Sequence, residues 1–312
     1  MPVIEVENLT KRYLNSETNA VSNVSFTVSA GEFFTLLGPN GAGKTTTISI
    51  LTTMLSPTSG SVRIAGFDVE KEGSAVRQNV GIIFQKPSLD QNLTAEENVR
   101  MHAVLYGLYP FRPTFSTMPR TYKNQIEELT SMLGINEDIF RPIKTFSGGM
   151  KRKLEIIRSL IHRPKVLFLD EPTVGLDPAS RRNLWEYIQR VRREAGTTVF
   201  LTTHYLDEAE DADTICIINR GKIVSLGTVD SVMADLTEKY LMVDAQNRDA
   251  LRTELSQLNV PFSETPQFKI ELNGDATIHQ LLKSINTPLT VIKTHNPSLE
   301  DAYLAIVELE NK

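Results

Sequence analysis

The chain has 312 residues, with 33 Lys and Arg against 38 Asp and Glu and a formal net charge of −5, so it is one large or two ordinary domains without the overall basic field that recruits nucleic acid or an anionic bilayer. Its single cysteine, Cys216 in the apolar run Thr214-Ile-Cys-Ile-Ile218, excludes a disulfide framework and reads as a small buried residue in a reducing compartment. No run approaches the ~18 apolar residues of a membrane-spanning helix, and the start Met-Pro-Val-Ile-Glu-Val-Glu lacks the basic and apolar parts of a leader, so a soluble chain is expected.

Residues 3–9, 24–28 and 33–37 are predicted strands, the first two alternating and so open to solvent on one side. The polar stretch between the first two contains Tyr13. It is either an ordinary half-exposed aromatic or a flat face for a nucleotide base. After residue 37 comes Gly38-Pro39-Asn40-Gly41-Ala42-Gly43-Lys44-Thr45-Thr46, with a helix predicted from Thr45. This is the strand, loop, helix order of a P-loop. Glycines let backbone N–H groups approach an anion, and the helix N-terminus adds unpaired donors and partial positive charge. Lys44 then reaches the terminal phosphates, and the Thr45 hydroxyl can hold Mg²⁺.

A turn follows at 56–60, then strands at 61–65 and 80–84, the second ending at Gln85. Gln85 is either a hydrogen-bonding strand-edge residue or an amide that touches a metal or an attacking water. Thr94-Ala-Glu-Glu97 reads as a capping box before a helix to about residue 107. Residues 109–115, rich in Pro and aromatics, break the helix and form either a surface loop or a contact for a partner. Helical periodicity resumes at 123–133, so 90–162 is expected to be a mainly helical insertion in an α/β domain. Ser147 is a good N-cap, and Leu154, Ile157, Leu160 and Ile161 repeat at helical spacing. Gly148 and Gly149 in the first turn weaken that helix by roughly 1 kcal/mol each. A second anion site at its N-terminus is the compensation expected.

The continuous apolar run 166–169 is the mark of a strand buried on both faces of a parallel sheet, and it delivers Asp170 and Glu171 to the edge where ligands bind. Neighbouring carboxylates repel unless a cation or proton intervenes. Asp170 is read as a Mg²⁺ partner through water, and Glu171 as the base that orients and deprotonates the attacking water. Asp177-Pro178 opens a helix to about 194, and a strand at 197–202 ends in Thr203-His204. His204 is either structural or, at the same sheet edge as Lys44 and Glu171, a γ-phosphate contact. The tail alternates strands at 239–245, 268–272 and 289–293 with helices at 248–258, 277–285 and 298–308, a small α/β accessory domain without a catalytic constellation. The expected domains are 1–235 and 236–312.

These motifs, in this order, resemble the nucleotide-binding subunit of an ABC transporter. Tyr13 matches the A-loop aromatic, residues 38–45 the Walker A, Gln85 the Q-loop, 166–170 the Walker B with Glu171 behind it, 174–177 the D-loop, and His204 the switch histidine. Phe146-Ser147-Gly148-Gly149-Met150 is similar to the family signature LSGGQ, departing at both ends and keeping its Ser-Gly-Gly centre. The resemblance implies a P-loop NTPase fold: a mainly parallel sheet, an antiparallel β subdomain, a helical subdomain and here a small C-terminal α/β domain. It implies ATP and Mg²⁺ as cofactors, with Thr45, Gln85 and Asp170 near the metal. It also implies a homodimer, or a pair with a related subunit, in which the signature of one chain completes the Walker A site of the other. Hydrolysis then drives a separate permease, which docks near Gln85 with its coupling helix on residues 84–115 and holds this chain at the cytoplasmic face of the membrane. The ending Pro297-Ser-Leu-Glu-Asp-Ala-Tyr-Leu304 is similar to ATPases of ABC-2 exporters of the daunorubicin-resistance type. The alternative is a related ATPase acting on ribosomes or DNA. Such proteins usually carry two cassettes with a charged linker, or a long coiled-coil insertion, and neither is present in this sequence.

Overall fold

The computed structural model describes residues 2–14, 16–84, 88–174, 176–236, 240–258, 260–264, 266–271, 278–295, 299–301 and 303. They fall into two compact units, Met1–Leu226 and Gly227–Lys312.

The first unit opens with β1 (Pro2–Lys11), β2 (Val21–Ser29), β3 (Phe33–Leu37) and α1 (Lys44–Leu51). β4 (Ser59–Ile64) and β5 (Phe67–Asp68) join β1 and β2 in an antiparallel sheet of order β2-β1-β4-β5. β2 buries one face and exposes the other, as its alternation predicts. The turn expected over 56–60 is shorter, because Ser59 already pairs with Thr10 across an irregular register in β1.

α2 (Gly73–Asn79) leads into β6 (Val80–Ile83). Among the described residues, everything regular between β6 and the next strand is helical: α3 (Ala95–Leu105), α4 (Arg120–Leu133), α5 (Gly148–Leu160) and three short 3₁₀ turns. Thr94 caps α3 with both halves of the expected box, and α4 begins earlier than its periodicity suggests, directly after Pro119. β7 (Val166–Asp170), α6 (Pro178–Ala195), β8 (Thr198–Thr203), β9 (Thr214–Asn219) and β10 (Lys222–Gly227) complete a six-stranded sheet of order β10-β9-β3-β8-β7-β6. β3 runs parallel to both β8 and β9, and β7 to both β6 and β8. Every residue of β3, β7 and β8 is buried, which explains their unbroken apolar runs. Phe34 stacks on Phe26 and on Phe200, ring centroids 5.1 Å apart in each case, and so welds the antiparallel sheet to the parallel one. Cys216 lies fully buried in this core, and burial pushes its thiol up to about 12.

The second unit contains α7 (Val229–Leu236), β11 (Tyr240–Ala245), α8 (Arg248–Gln257), β12 (Phe262–Glu264), β13 (Phe268–Glu271), α9 (Ile278–Ser284) and β14 (Leu289–His295). Its antiparallel sheet has order β12-β13-β11-β14. It has its own core of Leu241, Val243, Leu251, Leu255, Phe268 and Ile270. The helix expected over 298–308 lies mostly outside the described residues.

Candidate nucleotide site

The C-terminal ends of β3, β7 and β8 are neighbours in the sheet, so their loops meet. Beyond β3 the backbone is held so tightly that two glycines are obligatory. A Cβ on Gly38 would lie 2.2 Å from the Ile218 carbonyl oxygen; Gly43 has φ 109° and a Cβ there would lie 2.5 Å from the Ala20 oxygen. Gly43 caps α1 without any side-chain hydrogen bond, and no acidic residue stands in the first turn. The first amides of α1 therefore face outward unblocked. Lys44, a cation at the positive end of a helix, is the wrong sign for stability and the right one for holding an anion. Its side chain is buried, and Nζ donates to the carbonyls of Gly38 at 2.7 Å and Pro39 at 3.1 Å. Burial lowers its ammonium pKa below the ordinary range, opposed by Glu171 and, more weakly, Asp170.

β7 and β8 bring the acids and the histidine to the same place. Lys44 Nζ lies 3.6 Å from Glu171 Oε1, and His204 Nδ1 lies 3.2 Å from that same oxygen. Glu171 sits at φ 45°, a left-handed conformation that costs a non-glycine residue about 1 kcal/mol or more; its amide donates to the Thr202 carbonyl at 3.0 Å, which holds the kink in place. Asp170 accepts a hydrogen bond from Thr202 Oγ1 at 2.6 Å. Burial raises its carboxyl above the usual range, and that hydrogen bond works against the rise.

A cleft of about 150 Å³ is lined by Asn40, Gly41, Gly43, Lys44, Thr45, Thr46 and Glu171, together with Ala20. Tyr13 joins this corner: its hydroxyl lies 3.2 Å from Thr46 Oγ1, and the ring is half-exposed. Pro39 and Ala42 turn the loop, the Ala42 amide donating to the Pro39 carbonyl at 3.2 Å. Gln85 lies outside the described residues. Oxygen donors suited to Mg²⁺ are present in the exposed Thr45 hydroxyl and the Asp170 carboxylate. Among the described residues no group of three or more His, Cys, Asp or Glu could hold a metal alone.

Ser147, Gly148 and Gly149 are not part of this cleft. Ser147 caps α5 by accepting from the Met150 amide at 3.2 Å, and Gly149 lies against Ser180 at the start of α6, itself capped by Asp177.

The sequence reading missed three supports. Thr202, which holds Asp170, looks like one more strand residue. Glu208, almost fully buried, accepts from the hydroxyls of Thr173 and Thr203, the latter at 2.6 Å, and so ties the turn after Glu171 to the residue before His204. Burial raises its carboxyl, with the two hydroxyls opposing. The available signal was an acid four residues after His204 in an otherwise helical-looking turn. The third support is Arg152, which donates to the Pro172 carbonyl at 2.9 Å.

With this geometry in hand, the likeness to known proteins is specific. Residues 21–174 match the ABC transporter family. The chain is 40% identical over 262 residues to the daunorubicin/doxorubicin resistance ATP-binding protein DrrA of Streptomyces peucetius, covering 82% of this chain and 76% of that one. It is 34% identical over 280 residues to the linearmycin resistance ATP-binding protein LnrL of Bacillus subtilis, covering 89% and 83%. Among solved structures, a dimeric ATP-binding cassette in a post-hydrolysis state with ADP and Pi matches with a TM-score of 0.64 at 25% identity, covering 72% of this chain and 98% of that one.

Proposed function

Because this chain belongs to the ABC transporter family, as an ATP-binding subunit and ATPase, we propose that it powers export of a drug-like, antibiotic, lipid or polysaccharide substrate through a separate membrane permease. The resistance proteins it is similar to support the direction of transport. Among the described residues no helix is long and apolar enough to cross a membrane. In this reading the permease docks on residues 84–115, where Leu105 and Phe111 stand exposed, and keeps the chain at the cytoplasmic face.

The observation that carries the mechanism is the convergence of Lys44 and His204 on one oxygen of Glu171. Tyr13 stacks on adenine. The amides of residues 38–46 and Lys44 hold the β- and γ-phosphates. Thr45 and Asp170, and by the family resemblance Gln85, would hold Mg²⁺, which offsets phosphate charge when bound. Glu171 takes the proton of the attacking water, and His204 steadies both the carboxylate and the γ-phosphate. Ser147, Gly148 and Gly149 of a second copy close over that phosphate, so two chains enclose two nucleotides and part after cleavage. Replacing Glu171 with Gln keeps the shape and removes the base. We expect ATP binding to persist, hydrolysis to fall by about 10²-fold or more, and an ATP-bound dimer to accumulate on gel filtration. Parental turnover in Glu171→Gln would remove the base assignment.

A further inference from the structure

Residues 98–126 contain no Asp or Glu, in a chain with 38 acids among 312 residues, yet contain Arg100, Arg112, Arg120 and Lys123. The net charge of −5 thus covers a local excess of positive charge, which runs from α3 through the break after it into α4. A buried network holds that break in place. Arg100 pairs with Glu96 at 3.0 Å and donates to the Arg112 carbonyl at 2.6 Å, and the Tyr122 hydroxyl donates to Glu96 at 3.0 Å. Tyr109 and Phe115 pack edge-on around the Tyr122 ring, and Lys123 Nζ donates to the Ser116 carbonyl at 2.7 Å.

What this network presents stands in solvent. Phe111 is 63% exposed, and Phe140, edge-on to Phe115 with ring centroids 5.1 Å apart, is 56% exposed. Arg112 and Arg120 are exposed, and neither side chain has a hydrogen bond or ion pair among the described residues. Of the acids preceding Phe140, Asp138 pairs with Arg141 and Glu137 is exposed. Rings at headgroup level and cations reaching phosphate are the composition of a surface that lies on a bilayer. An acid-free stretch matters most against a surface that is negative everywhere, because a protein partner can meet an acid with a base of its own. Nucleic-acid affinity instead draws on many phosphate contacts at once, more than two free arginines supply.

We propose that the segment from Phe111 to Arg120, with Phe140 beside it, rests directly on the anionic headgroups of the cytoplasmic leaflet, Phe111 entering the interface and Arg112 and Arg120 pairing with lipid phosphates. Phe111 lies toward the far end, along the chain, of the segment given above to the permease, and Arg120 lies beyond it. The inference rests on the reading in Proposed function only in putting a bilayer within reach, and it adds lipid as a second contact. One cation near such a surface contributes about fivefold in partition. The contact is therefore weak alone and becomes effective once the permease holds the chain at the membrane.

The test sediments the full-length chain, without any permease, with vesicles of phosphatidylcholine alone or of phosphatidylcholine mixed with phosphatidylglycerol, at low and at high salt. The expected result is partition into the anionic vesicles about tenfold or more above the zwitterionic ones, lost at high salt. Arg112→Gln combined with Arg120→Gln should lower that partition by about tenfold or more. Neither side chain has a partner in the fold, so the variant should keep the parental melting temperature and ADP affinity. Phe111→Ala should weaken partition and leave its salt dependence in place. No preference for anionic vesicles overturns the inference, and so does parental partition in the double arginine variant. Binding of a single-stranded RNA with none to the vesicles overturns it as well, and assigns the surface to nucleic acid. The permease reading is tested apart, by recovery of an integral membrane protein with this chain from membranes. Failure there leaves the vesicle result standing, whereas failed partition with a permease recovered removes this inference alone.

Discussion

α1 and α5 both begin on glycine turns, yet the surroundings of those glycines differ. At α1, Gly38 would push a Cβ into the Ile218 carbonyl and Gly43 combines φ 109° with a Cβ position 2.5 Å from the Ala20 oxygen, so the chain's own packing demands glycine. At α5, a Cβ on Gly148 would meet no described residue within 4 Å, and one on Gly149 only the Ser180 side chain, its hydroxyl at 3.1 Å. Glycine gives up more backbone freedom on folding than any other residue, wherever it stands. At α1 the fold explains that cost; at α5 no contact among the described residues does. The difference teaches that a bare helix end can answer to its own core or to something brought from outside, and that the two cases are separable by what a single methyl group would touch.

The largest expected effect lies on the α1 side. Gly43→Ala combines a forbidden backbone conformation with a clash against main chain, for a loss on the order of 3 kcal/mol, and it should abolish ADP binding along with it. Denaturant melts and nucleotide titration read both quantities. A Gly43→Ala chain with parental stability and affinity would erase the contrast, because α1 would then tolerate side chains as freely as α5.

Of intermediate size near pH 5, at no more than about 2 kcal/mol, is the effect of acid on the far end of α5. His102 on α3 packs against Tyr106, ring centroids 4.1 Å apart and planes tilted by 30°, and Tyr106 against His162, 4.7 Å apart and tilted by 38°. Burial first, then Arg158 of α5 and His162, lower the His102 imidazole to about 3. The unfolded chain, with a histidine pKa near ~6.5, binds the extra proton first. The stabilisation is therefore complete above about pH 6.5 and drains as the pH falls toward about 3, at no more than about 1.4 kcal/mol per pH unit. His102→Phe keeps the ring contact and should flatten the acid limb of a Tm-against-pH curve without altering ADP affinity. An acid limb as steep as the parent's would show that burial of His102 beside Arg158 does not set the acid stability.

The same contrast separates what the sequence discloses from what it hides. The strand-loop-helix at residues 33–51, the Thr94 to Glu97 box and the all-buried β7 are legible because each is a local pattern whose physics acts within a few residues. α2, α7, β5, β10 and β12 are too short or too weakly patterned to stand out, and the apolar run of β9 discloses no more than a buried cysteine. The supports of the site were invisible for another reason. Glu208 meets Thr173 across 35 positions and Arg152 meets Phe84 across 68, so spacing along the chain says nothing of either until the sheet brings the strand ends together. Tyr13 is an intermediate case: its residue type suggested a base platform, but only the fold sets its hydroxyl beside Thr46, 33 positions away.

The smallest change in stability carries the most information about α5. Gly148 is the first residue of the helix, capped by Ser147, with no described residue within 4 Å of where a Cβ would stand. Gly148→Ala should therefore leave the fold intact and stabilise it slightly, by roughly 0.5 kcal/mol, since alanine gives up less backbone freedom on folding. ADP affinity should not move, because the P-loop cleft is lined without Gly148. If the turn exists to meet a phosphate held by another copy, the added methyl stands between amides and anion, and steady-state ATP turnover of the assembled transporter should fall by about tenfold or more despite the higher melting temperature. A stabilised variant with parental turnover would mean that position 148 has no partner to accommodate. A destabilised one would mean that the space around it is filled within its own chain, and the distinction between the two helix ends would be lost.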